Sequence, residues 1–153
     1  MFQGLSIDYM KFKKFLSHPI IFYFTAFLLP FTILFFVYLS QGIYWGSETS
    51  PLLGDGFHQY VIFDVTLRNI LHGTDSLFYS FTSGLGLNFY ALSSYYLGSF
   101  LSPFVFFFDS LSMVDSVYLF TLIKIGLIGL STYHSIKGIY PQLQKFLILS
   151  LST

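Results

Sequence analysis

The chain has no cysteine and very little charge. Seven basic and seven acidic residues amount to 9% of its 153 positions, against roughly 25% in an ordinary soluble domain. Without cysteine there are no disulfides, thiolate nucleophiles or cysteine-based zinc sites, while the redox compartment stays open. The even balance of charge supplies no basic field for nucleic acid and no acidic tail, so no nucleic-acid partner is expected. What replaces charge is apolar and aromatic: 54% of the residues are hydrophobic and 22% are Phe, Trp or Tyr. So little charge cannot cover a water-facing surface, and the chain reads as a membrane protein.

Spans of about 20 apolar residues are the next signal. Residues 20–39, IIFYFTAFLLPFTILFFVYL, contain no charge, and Pro30 in their middle is tolerable in a spanning helix, with a kink expected. A secretory signal is rejected: the run is longer than an h-region of about 7–15 residues, and no small-residue cleavage site follows. Lys11, Lys13 and Lys14 precede it, so a 1–19 tail is expected in the cytoplasm. Further spans are expected at 89–108 and 117–135. Residues 146–153 read as the start of a fourth, cut short, so the sequence is expected to be the N-terminal piece of a longer polytopic protein. Three crossings put Lys137 and Lys145 outside, mildly against the positive-inside rule. A re-entrant second span would reverse that.

Residues 40–88 then form one extracytoplasmic loop, holding Glu48, Asp55, Asp64, Asp75, Arg68, His58 and His72. Within it, 56–72 has helical periodicity. Tyr60, Phe63, Leu67, Ile70 and Leu71 share an arc of about 100°, the width of a buried stripe, with His58, Gln59, Thr66 and Asn69 opposite. Asp64 and Arg68 are an i,i+4 pair in the favourable order. The helix is expected to lie in the membrane interface and to stop at Gly73. Asp55, between Gly54 and Gly56, is positioned to cap it, or to point into an aqueous cleft.

The blocks GDGFHQY, LRNILHG, LFYSFTSGLGLNFYALSSYYLGSFLSP and LIKIGLIGLSTY, taken in that order from Leu53 to Tyr133, resemble the N-terminus of the YfhO-like bacterial membrane proteins, which belong with the GT-C glycosyltransferases. The resemblance implies an all-α polytopic transmembrane bundle of GT-C type, multi-pass in the bacterial cell membrane. It further implies a first external loop with interfacial helices and an essential acid near its start. The partners implied are membrane lipid, a polyprenyl-phosphate sugar donor and a cell-envelope polymer acceptor such as lipoteichoic acid. Asp55 matches the acidic position.

Sugar transfer to a hydroxyl needs a base, and a carboxylate at a water boundary can serve, so Asp55 is the expected catalytic residue. A leaving lipid phosphate needs positive charge, for which Arg68 and Lys124 are candidates. Their simpler roles are pairing with Asp64 and snorkelling to headgroups. His58 and Gln59 are candidates for sugar hydroxyls, or simply a solvated helix face. Tyr95 and Tyr96 are candidates for the donor's head group, or an interfacial aromatic belt. The cofactor is undetermined: Asp55 with His58 suits Mg²⁺ or Mn²⁺, but no spacing demonstrates a metal site. SGLGLN, residues 83–88, lacks the third glycine and the Lys-Ser/Thr of a nucleotide loop. The competing classes are a noncatalytic scaffold and a transporter. A transporter should carry its acids within the spans, whereas here they cluster in the loop.

Overall fold

A computed structural model describes residues 18–81 and 85–142. The expected tail, except its last two residues, and the start of a fourth span lie outside those residues. The chain divides into two compact units, residues 1–36 with 122–153, and residues 37–121. The described residues are helical. Their pairing of β type is a single antiparallel bridge between Ser80 and Leu87.

The first unit is built on two helices, α1 (Pro19–Ser40) and the helix Met113–Ile139, each of which extends past the unit's boundary. α1 is apolar on every face and buries none of its residues within the chain, the pattern of a helix whose surroundings are themselves apolar. Its 22 residues cover about 33 Å at 1.5 Å per residue, enough for a hydrocarbon layer of about 30 Å. These two helices are the described ones long and apolar enough to cross a membrane, and they include the expected spans 20–39 and 117–135.

They pack closely because one contributes glycine where they meet. A Cβ on Gly129 would fall on the Ala26 carbonyl and 2.6 Å from Pro30 Cγ, and one on Gly126 would fall 2.7 Å from the Phe27 ring. Hydrophobic burial does not drive helices together in lipid, so close backbone approach at small residues has to supply the attraction.

The second unit holds a π-helical turn Gly56–Tyr60, α2 (Val61–Leu71), α3 (Phe89–Tyr96) and two 3₁₀ turns, Ser102–Phe107 and Ser110–Ser112; the helix Met113–Ile139, now α4, begins in it. α2 ends at Gly73 as its sequence suggests. Gly73 has φ 75°, its N–H bonds Ile70 O, and Thr74 N–H bonds Asn69 O at 2.9 Å, the double closure of a Schellman cap. Phe63, Phe89 and Leu97 form the core between α2 and α3, with Leu67, Ile70, Leu77, Leu92 and Tyr96 against them. On its other side α2 packs on the turn Ser102–Phe107. Asp64 and Thr66, the latter expected to face water, are consequently buried. Asp64 is not without a partner, and the Thr66 hydroxyl donates to Ile62 O.

The expected span 89–108 is not one helix. α3 stops after eight residues, about 12 Å of rise, far short of a bilayer. Leu97 leaves helical geometry at φ −112° and ψ 18°. Ser99 then takes the next backbone groups, its hydroxyl accepting from Leu101 N–H and its carbonyl from Ser102 N–H. Pro103 follows with no N–H to donate and a ring that excludes the carbonyl an α-helix would place before it. Leu97, Leu101 and Val105 of this stretch lie in the second unit's interior, whereas Phe100, Phe104, Phe106 and Phe107 stay exposed.

Gly129→Ala should lower the stability of the α1–α4 pair by about 1–3 kcal/mol, the range for overpacking a close contact. Gly138→Ala, where a Cβ meets nothing within 4 Å, should leave it unchanged. Thermal melting of the purified variants compares the two.

Candidate functional site

The approach to α2 brings several of the candidate residues together. Gly54 takes φ 53°, a left-handed turn that only glycine adopts without strain, and its carbonyl accepts N–H bonds from Phe57 and His58. The chain then enters a π turn, in which Val61 N–H reaches back five residues to Gly56 O. Asp55 is already helical at φ −59° and ψ −28° and makes no capping bond with its side chain. A capping carboxylate needs an extended backbone to fold over the first turn, so the capping expectation is not met. The Asp55 carboxylate is exposed instead, and Gln59, four residues on, donates to its Oδ1 through Nε2 at 3.2 Å. Gly56 has no room for a larger side chain without a shift, since a Cβ there would sit 3.1 Å from Leu52 Cδ2.

Farther along the helix a cluster of tyrosines begins. Tyr60 meets Tyr96 edge to face, with ring centres 5.3 Å apart; Phe63 lies 5.0 Å and Tyr95 4.8 Å from the same ring. α3 is started by Asn88, whose side chain accepts from Tyr90 N–H at 3.0 Å. It delivers both tyrosines to the stretch of helix adjoining Gln59. Tyr96 is half-buried in the core, and Tyr95 is 82% exposed. Tyr95 and Tyr96 thus join the helix through Tyr60, which follows Gln59 and which helical periodicity places among the buried residues. It remains 44% exposed, and the contact with Tyr96 joins segments too distant in sequence for a helical wheel to pair.

His58 is exposed, with its ring edge-on to Phe57 at 5.7 Å. It lies one residue from Gln59 but has no bond to Asp55 among those described. Arg68 is placed elsewhere. Its Nε donates to Phe108 O at 2.5 Å, one terminal nitrogen to Asn69 Oδ1 at 3.3 Å, and the other approaches Asp109 Oδ1 at 3.5 Å. The guanidinium therefore ties α2 to the chain ahead of α4, about 20 Å of helix beyond Asp55. That is a fastening, made through Phe108, Asn69 and Asp109. Lys124 is exposed and belongs to the first unit. Among the described residues no three His, Asp or Glu side chains converge as metal ligands. Asp55 and His58 do not compose an Mg²⁺ or Mn²⁺ site by themselves.

These features define a helical membrane protein in which the sequence between two apolar helices folds as a unit of its own and presents an exposed carboxylate held by Gln59. The family model described as bacterial membrane protein YfhO matches residues 26–153. The chain belongs to that family. No curated protein and no solved structure matches it.

Arg68→Leu should destabilise the second unit by about 1–3 kcal/mol, because a charged donor to a part-buried carbonyl is lost. The exposed Asp109 contact adds little to that. Gly54→Ala should cost about 1 kcal/mol from its left-handed backbone. Chemical denaturation of each variant checks both values, and an Arg68→Leu protein as stable as the parent would return Arg68 to the list of open phosphate ligands.

Proposed function

We propose that this chain takes part in a membrane glycosyltransferase that moves a sugar from a polyprenyl-phosphate donor to an extracytoplasmic cell-envelope acceptor, with Asp55 as the general base. The observation that carries the proposal is the state of Asp55. It is exposed, it is not spent on capping, and it is oriented by one hydrogen bond from Gln59. A carboxylate so held can receive the acceptor hydroxyl's proton while the hydroxyl oxygen attacks the sugar's anomeric carbon and the phosphate leaves. Tyr95, exposed on α3 and edge-on to Tyr96, offers an aromatic face suited to a sugar ring or the first isoprene unit. Gln59 acts as a positioning residue, and His58 is close enough along the turn to meet a sugar hydroxyl.

The orientation belongs to the same proposal. If 89–108 does not cross, α1 and α4 are consecutive crossings, and the sequence on either side of the pair shares one face of the membrane. That sequence holds Lys11, Lys13, Lys14, Lys137 and Lys145, while Arg68 is the sole Lys or Arg from 37 to 121. Lysine and arginine set topology, so the N-terminus is assigned to the cytoplasm and Asp55 to the outer side. The two lysines that opposed a three-span count now agree with the rest.

Asp55→Asn should reduce transfer of radiolabelled sugar from polyprenyl phosphate by about 10²–10⁴-fold, the usual contribution of a general base, with membrane insertion unchanged. Transfer at the parental rate would remove Asp55 from the reaction. Because the chain contains no cysteine, single cysteines report topology without background. An impermeant maleimide should label Thr49→Cys in intact cells and Gly138→Cys only after permeabilisation. The reverse pattern would defeat the orientation and the proposed role together.

A further inference from the structure

The first unit contains a polar cluster that the transfer reaction does not use. Tyr23 lies near the start of α1, and Tyr133, His134 and Lys137 lie near the end of α4. Lys137 Nζ donates to the Tyr23 hydroxyl at 3.5 Å and stands 4.9 Å from the centre of the same ring, a combined hydrogen-bonding and cation–π contact. The same hydroxyl pairs with His134 Nδ1 at 3.3 Å. Tyr133 packs edge-on to Tyr23 with ring centres 4.9 Å apart, and its own hydroxyl is buried with no hydrogen-bond partner among the described residues. A buried hydroxyl left unbonded is costly.

The contacts allow an order of protons that leaves further donors free. With Lys137 donating to the Tyr23 oxygen, the tyrosine's own proton is available to His134 Nδ1. In that tautomer the ring N–H of His134 sits on Nε2, as a further donor. Lys137 retains two of its three donors. Neither 18–36 nor 122–142 contains an Asp or Glu, so no carboxylate among the described residues of this unit neutralises the ammonium. What the cluster lacks is a negatively charged group made only of acceptors, with several oxygens to meet several donors. A phosphate has that chemistry.

The location selects its source. Tyr23 lies about 6 Å from the start of α1 and Lys137 about 3 Å from the end of α4, measured at 1.5 Å per residue. In two helices long enough to span, that is the depth of the lipid head groups. We infer that Tyr23, Tyr133, His134 and Lys137 form a binding site for the phosphate of an anionic membrane lipid. Interfacial lysines and tyrosines commonly do no more than anchor a helix. A site differs from an anchor in selecting its lipid and in depending on individual donors.

Native mass spectrometry of the detergent-purified chain, offered phosphatidylglycerol and phosphatidylcholine together, separates the two. Retention of one phosphatidylglycerol in preference to phosphatidylcholine is expected. Lys137→Gln should weaken that retention about tenfold, as loss of one charged hydrogen bond implies. Tyr133→Phe should weaken it by a smaller factor, and Lys137→Arg should restore most of it. Lys124→Gln removes the same charge from the same helix on a different face, and should retain lipid like the parent. Equal retention of the two lipids, or an equal loss in Lys124→Gln, would reduce the cluster to a general charge effect and overturn the inference. Displacement of the lipid by an equal concentration of inorganic phosphate would overturn the lipid assignment.

Discussion

A backbone amide or carbonyl in hydrocarbon has no water to bond, so the chain crosses lipid only where a helix supplies every partner itself. The stretch from Leu97 to Phe108 cannot meet that requirement. Its helix opens at Leu97, Ser99 takes up the next backbone groups, and Pro103 has no N–H to contribute. The chain folds the turn Ser102–Phe107 onto α2 and buries Leu97, Leu101 and Val105 in protein. α2 becomes covered on both sides, and among the described residues two helices, where three spans were expected, are long and apolar enough to cross a membrane.

Covering α2 on both sides leaves its opening turn as the part that faces outward. Farther along, Phe63, Leu67 and Ile70 are taken by α3, Arg68 is fastened to Phe108 and Asp109, and Gly73 closes the end. The π turn and the left-handed Gly54 before it hold Asp55 out of the capping position. Exposure of this carboxylate is thus a property of the backbone around it, and rigidity farther along the helix keeps that backbone in place. A fixed donor and a fixed acceptor cost less to organise at the moment of reaction than mobile ones.

The two spanning helices were legible in the sequence because twenty uncharged residues have few alternatives. The α2 stripe and its glycine stop were legible because helical periodicity and a left-handed cap are local. The stretch 89–108 was not, since hydropathy reports that residues such as Leu101 and Val105 avoid water without reporting whether lipid or protein shelters them. Thr66 was assigned to water on a helical wheel for the same reason: a wheel sorts the faces of a helix and knows nothing of a second neighbour. The Arg68 contact with Phe108 and the Tyr60 contact with Tyr96 join residues about 40 positions apart, beyond any periodicity. The π turn has no composition of its own, and the GDG that precedes it signals only that the backbone there is unusual.

The zero net charge conceals a division that bears on the proposed chemistry. From 37 to 121 the sequence carries Glu48, Asp55, Asp64, Asp75, Asp109 and Asp115 against one base, Arg68, whose donors are already directed at Phe108, Asn69 and Asp109. A neutral sugar can approach such a unit freely, while a polyprenyl phosphate carries its negative charge into an acidic field. The leaving phosphate therefore needs positive charge that the second unit does not offer among its described side chains. Under the proposed reaction that charge has to come from another part of the protein or from an added cation. The base and the phosphate clamp of that reaction are then separate pieces.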